Sequence, residues 1–203
     1  VIVEARAVGR VLGGLTAPLN GFSLSQKRSC MVDMLGKQIA SPLLSITDDP
    51  LLHGGWASQR FDGEGLTTRR RPIIQAGVLK GFYIDTYYGK KLKKTPTGAS
   101  SSNLVFSTGK RDLDALCAAA GRAILITRFI GGNSNSTTGD FSHGLFGFLI
   151  EKGKRTTPLA SMNIAGNHLS FWKGLVELGN DPYPYSSNLT PSLRFKPMMV
   201  AGK

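Results

Sequence analysis

The residues best suited to chemistry in the first half of the sequence are two carboxylates followed by three arginines. Asp62 and Glu64 lie between glycines, and such a pair can bind a metal ion or perform acid–base catalysis. Acidic residues between glycines are also typical of a simple turn. Arg69, Arg70 and Arg71 can hold a carboxylate or phosphate through their planar guanidinium groups, or can form the solvated edge of a strand.

A second stretch of interest is a polar loop, Asn133 to Asp140, which leads into an apolar run, Phe141 to Ile150. Both alternating sets of side chains in the run are bulky, which predicts a strand buried on both faces. Gly144 and Gly147 interrupt the run and indicate a bulge or the close approach of another backbone. Polar loops on rigid strands are typical of binding sites, although an ordinary loop before a core strand gives the same pattern.

These two stretches together predict a substrate groove. Its expected polar residues are Arg69, Arg70, Arg71, Asn133, Asn135, Asp140 and His143. A hydrolytic site built from Asp62, Glu64 and His143 is an alternative, but the spacing of these residues fixes no geometry for them.

Recognised catalytic and metal-binding motifs do not occur in the sequence. None of His53, His143 and His168 is followed by Glu or paired at ligand spacing, and Cys30 and Cys117 lack metal-ligand spacing. A glycine-rich phosphate loop and a serine nucleophile motif are also missing. The sequence therefore assigns no catalytic residue and predicts no metal site or cofactor in this chain.

Length and composition describe a turn-rich globular chain. It has 203 residues, 25 of them Gly and 10 Pro, and an apolar content of 41%; residues 1–203 are expected to form a single domain. Two isolated cysteines and no membrane-spanning run favour a reducing, cytoplasmic location. The net charge of +12 permits binding to nucleic acid, to an acidic partner or to an anionic surface. Because the chain begins at Val1, we expect it to be a fragment or a processed product.

The pattern of apolar residues predicts an α+β fold with mostly antiparallel β-sheet and a few packing helices. A central hairpin is expected from the strand Phe141 to Ile150, the turn Glu151 to Lys154 and a returning strand, Arg155 to Ile164. The other expected elements are helices at Glu4–Leu19, Asp112–Ala120 and His168–Leu178, strands at Lys37–Asp49, Leu104–Phe106, Ala123–Ile130 and Leu193–Val200, and a hairpin at Pro72–Asp85.

Several segments resemble the TldD/PmbA family, whose members were once called modulators of DNA gyrase. They are Gly131–Asn133, Thr138–Ser142, Gly147–Gly153 and the Ala40–Pro50 segment, ASPLLSITDDP. The order and spacing of these segments are specific, and the resemblance spans nearly the whole chain. The three consecutive arginines resemble the PmbA branch of the family, also called TldE. The loop Thr95–Ser102 departs from the pattern because related chains are longer there.

This resemblance implies a role in peptide degradation. In the family, the TldD partner is a zinc peptidase with a His-Glu-x-x-x-His motif in its N-terminal half and a Cys just before a Gly near its C-terminus. The PmbA partner lacks these ligands and pairs with TldD as a heterodimer that degrades unfolded or flexible peptides. In this sequence Leu178 precedes Gly179, and an aliphatic side chain cannot bind zinc. The resemblance thus implies the C-terminal half of a non-catalytic PmbA-like subunit, with the N-terminal half missing and with zinc in the partner.

Other partners and functions stay open at the level of sequence. A homodimer is possible, and no membrane partner is expected. A nucleic-acid-binding or gyrase-associated protein is the main alternative, because the chain is strongly basic. The basic residues are scattered and no DNA-binding motif is visible, so any nucleic-acid binding is expected to be non-specific.

Overall fold

The computed structural model describes residues 1–202 and contains two β-sheets with short helices packed around them. The helices are α1 (Val8–Thr16), α2 (Gly21–Ser25), α3 (Thr86–Leu92), α4 (Leu113–Ala120) and α5 (His168–Lys173). The strands are β1 (Ile2–Val3), β2 (Ile46–Asp48), β3 (Arg71–Gln75), β4 (Val78–Leu79), β5 (Leu104–Phe106), β6 (Arg122–Ser134), β7 (Asp140–Glu151), β8 (Lys154–Asn167), β9 (Leu175–Leu178), β10 (Asn188–Leu189), β11 (Leu193–Phe195) and β12 (Val200–Ala201).

The larger sheet has seven strands in the order β12-β8-β7-β6-β1-β11-β9, and the smaller has five in the order β10-β5-β2-β3-β4. Only the pairs β1–β6 and β5–β10 are parallel in the part of the chain described. The predicted α+β class with mostly antiparallel sheet is therefore confirmed.

The predicted central hairpin is present and extends further than expected, as the long three-stranded ribbon β6–β7–β8. Phe141 and Leu145 are buried in the main core, whereas Ile150 packs on the other side of the ribbon with Cys117 of α4. Phe146 between them is 36% exposed. The prediction that β7 is buried on both faces is therefore wrong: each face is covered along only part of its length, because helix α4 reaches only one end of the ribbon.

Helix α1 joins the large sheet to the rest of the core. Its buried residues Val8, Val11, Leu12 and Leu15 recur at helical spacing. The predicted helix Glu4–Leu19 is confirmed, with 3-10 turns at each end of α1, Ala5–Ala7 and Ala17–Leu19.

Three segments differ from the sequence-based expectation. Of Lys37–Asp49, only the last residues, Ile46–Asp48, form a strand. The predicted strand Leu193–Val200 is divided between β11, which ends at Phe195, and β12, which begins at Val200 and pairs with β8. Helix α5 ends at Gly174, and Leu175–Leu178 instead forms strand β9 against β11. Apolar spacing of Leu175 and Leu178 fits a short strand as well as a helix.

Candidate functional site

A cavity of about 310 Å³ opens at the start of β3 in the smaller sheet. It lies between the segment Gln59–Thr68, the Thr95–Ser102 loop and the end of β2. The charged residues that line it are Asp48, Asp62, Arg69 and Arg71, and the loop adds Thr95, Thr97, Ser100 and Ser102. Two guanidinium groups and two carboxylates thus face one cavity together with several hydroxyl groups.

Arg71 is held rigidly at the wall of this cavity. Its Nε and Nη2 atoms both lie 3.4 Å from Oδ2 of Asp48, and its guanidinium carbon lies 4.9 Å from the centre of the Tyr83 ring. Asp48 in turn accepts hydrogen bonds at Oδ1 from the amide and hydroxyl of Ser102, at 2.8 and 2.5 Å. The two charged side chains are only 15% and 4% exposed, so they form a nearly buried ion pair that fixes the orientation of Arg71.

Tyr83 completes this framework beneath Arg71. Burial raises the pKa of its phenol well above the usual range, and the nearby carboxylate of Asp48 adds to this effect. Tyr83 therefore stays neutral at physiological pH, and its ring offers an uncharged face to the guanidinium group.

The carboxylate pair Asp62 and Glu64 does not form a joint acid–base site. Oδ1 of Asp62 accepts hydrogen bonds from the amides of Glu64 and Leu66, both at 2.9 Å, which is the geometry of a turn. Glu64 instead accepts hydrogen bonds from the amide and hydroxyl of Thr86 at the start of α3. Only Asp62 lines the cavity. Of the two interpretations that the sequence allowed for this pair, a turn rather than a joint acid–base site therefore fits the structure.

The three consecutive arginines have three different environments. Arg71 belongs to the buried framework, and Arg69 lines the cavity without a carboxylate partner among residues 1–202. Arg70 lies outside the cavity, is 69% exposed and pairs with Asp49 at 3.3 Å. Alternation of side chains along an extended chain accounts for this difference, because neighbours point to opposite sides.

The polar loop at the tip of the β6–β7 hairpin is held by hydrogen bonds within it and by others from Asn167 at the end of β8. Oδ1 of Asn135 accepts a hydrogen bond from the Thr137 amide at 2.9 Å. Nδ2 of Asn167 donates to the Thr138 carbonyl at 2.9 Å and to the Asp140 carboxylate at 3.0 Å. The hydrogen bond from Asn167, and then that from Thr138, lower the pKa of Asp140. The loop is therefore exposed but ordered by specific contacts.

His143 lies beneath this loop in the core and is 1% exposed. The Ser134 hydroxyl lies 3.2 Å from Nε2 of His143 and 3.1 Å from Nε2 of His168. A hydroxyl can donate to one imidazole and accept from the other, so it can link the two rings. The Phe141 ring packs against both imidazoles, with centroid distances of 5.4 and 4.6 Å.

Both histidines in this cluster favour the neutral state. Burial lowers the pKa of His143, and the positive charge of Arg10 lowers it further. Burial and the neighbouring His143 lower the pKa of His168 to about 4. Neutral imidazoles that share a hydroxyl and pack against one aromatic ring are suited to packing and positioning rather than to contact with a bound ligand.

The structure therefore divides the predicted groove residues among three places, with Arg70 exposed and outside the cavity. Arg69 and Arg71 share the cavity with Asp62, whereas none of the residues predicted on and after the β6–β7 loop lines it. Those residues are Asn133, Asn135, Asp140 and His143.

Sequence reasoning missed the partners that build the cavity wall, Asp48, Tyr83 and Ser102. Asp48 and Asp49 form a visible acidic pair, but the contact between Asp48 and Ser102 joins residues 54 positions apart. No local pattern could have revealed it.

Leu178, which precedes Gly179, is a buried core residue at the end of β9. Among residues 1–202, no group of three or more His, Cys, Asp or Glu side chains is arranged to hold a metal ion. None of the helices in the described part of the chain is both long and apolar enough to cross a membrane.

Comparison with known sequences identifies relatives along the whole chain. Residues 1–202 match the family model for the PmbA/TldA metallopeptidase C-terminal domain. The chain is 32% identical over 205 residues to metalloprotease PmbA of Escherichia coli O157:H7, covering 100% of this chain and 46% of that protein. It is 33% identical over 195 residues to the PmbA homologue of Haemophilus influenzae, covering 95% and 43%. The chain thus spans about half the length of the curated relatives it matches.

Solved structures agree with this assignment. A Bacteroides thetaiotaomicron protein, named as a candidate modulator of DNA gyrase, superimposes with a TM-score of 0.94 at 46% identity, over 96% of this chain and 45% of that one. TldE from Thermococcus kodakarensis superimposes with a TM-score of 0.91 at 25% identity, over 99% and 49%. With the sequence segments described above, these matches show that the chain is a PmbA-like member of the PmbA/TldD metallopeptidase family.

Proposed function

We propose that this chain is the C-terminal half of a non-catalytic, PmbA (TldE)-like subunit that pairs with a TldD-like zinc metalloprotease and helps it to degrade unfolded or flexible peptides. The observation that carries this proposal is Leu178. It occupies the position before Gly179 at which the resemblance expects a zinc-binding Cys in the catalytic branch, and its aliphatic side chain is buried in the core. The zinc then belongs to the TldD-like partner, and this chain, a single cytoplasmic domain, contributes binding groups.

The proposed contribution is to hold the peptide near the partner's active site. The cavity offers Arg69 to an acidic side chain or a peptide carboxylate, and Asp62 to a basic group or a backbone amide. A balanced set of charges tolerates peptides of varied sequence, which suits an enzyme that acts on unfolded chains. The Asn133–Asp140 loop adds exposed amide and carboxylate groups, and the buried His143 positions that loop from below.

Reconstitution with a TldD-like subunit tests the proposal directly. The chain alone should retain no stoichiometric zinc after dialysis and should cleave no peptide, whereas the pair should cleave a flexible peptide. Arg69→Ala should lower kcat/KM about tenfold or more, because it removes a charge-assisted hydrogen bond. Arg70→Ala is the matched control, since Arg70 has the same chemistry but lies outside the cavity.

One result would reject this function, and another would reject the proposed contribution of the cavity and loop. One is a tightly held zinc ion with peptidase activity in the isolated chain. The other is full activity of the pair after Arg69→Ala and Asn133→Ala together, with the heterodimer still formed; the cavity and loop would then be only structural.

A second candidate, non-specific nucleic-acid binding, is favoured by the surface of α3. Tyr87, Lys90 and Lys91 share one face of this helix at helical spacing. Helix α2, which is followed by Lys27 and Arg28, packs against α3. Aromatic and cationic side chains together suit a single-stranded nucleic acid, and such binding should weaken steeply with salt. A roughly thousandfold preference for one duplex sequence at physiological salt would instead indicate specific readout.

A further inference from the structure

A second cavity, of about 350 Å³, lies between the start of α1 and strand β6. Its lining comes from the turn before α1, from α1 itself and from β6, and it shares no residue with the cavity around Arg71. The residues that line it are Arg6, Ala7, Arg10, Thr127, Arg128, Phe129 and Gly131. Three arginines from separate elements of the fold thus face one open depression.

Positive charge in this cavity is only partly offset. Arg6 pairs with Glu4, with its Nη2 atom 2.5 Å from the carboxylate, but no carboxylate side chain lines the cavity itself. Neither Arg10 nor Arg128 forms an ion pair in the described part of the chain. Three guanidinium groups and one adjacent carboxylate leave an excess of two positive charges, and their mutual repulsion favours an anion in the depression.

Arg10 is already held in place without such an anion. Its Nη2 atom donates hydrogen bonds to the carbonyl oxygens of Gly131 and Gly132, at 2.9 and 3.0 Å. Neither Nε nor Nη1 donates a hydrogen bond within residues 1–202, so the N–H groups of these two atoms remain available. A cation that is fixed before its ligand arrives loses less conformational entropy on binding.

We propose that this arginine cavity is a binding site for an oxyanion, either a carboxylate or a phosphate, carried on a larger molecule. Guanidinium groups match the planar or tetrahedral arrangement of such oxygens and bind them in a bidentate manner. The cavity is larger than an isolated ion needs and falls within the usual range for small-ligand pockets. Phe129 on its wall supplies an apolar contact for the body of the molecule. The acidic side chain of a peptide and a phosphate ester both fit this description.

Calorimetric titration of the 203-residue chain at low salt tests the site and distinguishes a carboxylate ligand from a phosphate ester. The probes have both termini blocked and are a short glutamate-containing peptide, the same peptide with glutamine, and a serine peptide in phosphorylated and unphosphorylated forms. We expect at least one anionic probe to bind with a Kd of about 1 mM or tighter, while the neutral probes do not bind. Binding of the glutamate peptide identifies a carboxylate ligand, and binding of only the phosphopeptide identifies a phosphate ester.

A matched pair of variants on β6 localises the binding. Arg128→Gln should weaken it about tenfold, because Arg128 lines the cavity and its charge-assisted contacts are lost. Arg122→Gln removes the same charge from an exposed position on the same strand outside the cavity and should change Kd by less than about twofold. Arg6→Gln provides a second test from a different element.

Two results would overturn the proposal. In the first, no anionic probe shows saturable binding. In the second, Arg122→Gln weakens binding as much as Arg128→Gln and Arg6→Gln do, which would show a general effect of surface charge. Circular dichroism of each variant ensures that the comparison is made between folded chains.

Discussion

The cavity around Arg71 and the tip of the β6–β7 hairpin both contain residues capable of chemistry, yet the structure treats them differently. Beneath the hairpin tip, His143 and His168 are buried, favour the neutral state and pack against the Phe141 ring. In the cavity, the guanidinium group of Arg71 is paired with the carboxylate of Asp48, and both side chains are nearly buried. The comparison teaches that burial is accommodated in two ways: a histidine can favour its neutral state, whereas a permanently charged arginine needs a counter-ion beside it.

This difference also separates framework from contact residues within the cavity. Asp48 and Arg71 hold each other, whereas Arg69 and Asp62 have atoms that are free to meet a ligand. Substitutions in the framework should therefore change stability, and substitutions among the contact residues should change binding.

Asp48→Ala should produce the largest effect. It leaves Arg71 without its counter-ion and removes the acceptor for two hydrogen bonds from Ser102, so the free energy of unfolding should fall by about 3–5 kcal/mol. Asp49→Ala is the control within the same acidic pair: its partner Arg70 is 69% exposed although Asp49 is itself 16% exposed, and the cost should be about 1 kcal/mol. Urea unfolding of both variants measures the difference, and equal losses would contradict the distinction between the two arginines.

The second-largest effect is expected on acidification, which should destabilise the fold around His143 and His168. The folded-state pKa of His168 is lowered to about 4 and that of His143 is also lowered, whereas an unfolded histidine has a pKa of about 6.5. The unfolded state therefore binds protons first, and stability is lost as pH falls from about 6.5 towards 4. The loss should be on the order of 2–3 kcal/mol.

Two measurements together check this pH dependence. Urea unfolding between pH 7.5 and 4.5 gives the change in stability, and NMR titration of the His168 ring gives its folded-state pKa directly. A constant free energy of unfolding over this range, or a His168 ring that titrates near 6.5, would show that the cluster does not favour the neutral state.

A smaller effect is expected where α1 packs on the histidine cluster. A Cβ atom at Gly14 would lie 1.9 Å from Nε2 of the buried His168, so Gly14→Ala should cost about 1–3 kcal/mol through overpacking. Gly13→Ala is a close control on the same helix, because a Cβ there meets nothing within 4 Å. It should stabilise the chain by up to about 1 kcal/mol through helix propensity. Thermal unfolding measures both effects, and melting temperatures that shift in the same direction for the two variants would exclude this packing contact.

The smallest stability change is expected for Arg69→Ala in the cavity. Its side chain has no carboxylate partner in the described residues, so the free energy of unfolding should change by less than about 0.5 kcal/mol. The same variant should impair peptide cleavage by the reconstituted pair, which separates binding from folding. A large loss of stability would instead place Arg69 in the framework with Arg71.

The sequence predicted the elements whose residues interact locally. The ribbon β6–β7–β8, helix α4 and the β3–β4 hairpin carry their own periodicity, caps and turns, and all are confirmed. Helix α5 was predicted too long because Leu175 and Leu178 suit a helix face and a short strand equally, and only pairing with β11 selects the strand. Tertiary contacts, rather than local preference, decide the secondary structure of such short apolar segments.

The candidate site was less predictable than the fold. The sequence could single out Arg69 to Arg71 by residue type, but their different roles depend on which side of the chain faces Asp48. The sequence also singles out His143 by its residue type. The burial of His143, however, depends on Ser134 of β6 and His168 of α5, which approach it in the fold. The arginine cavity is lined by residues more than a hundred positions apart in the sequence, and no rule of local spacing predicts such a contact.

The position of β1 has a consequence for how the chain is made. Ile2 and Val3 pair with β6 on one side and with β11, about 190 residues later, on the other. The ribbon β6–β7–β8 needs only neighbouring segments and can form early during synthesis, but the larger sheet cannot close until β11 has left the ribosome. Long-range pairing of this kind slows folding, so the edge of β1 that pairs with β11 remains open to incorrect pairing until β11 has been synthesised.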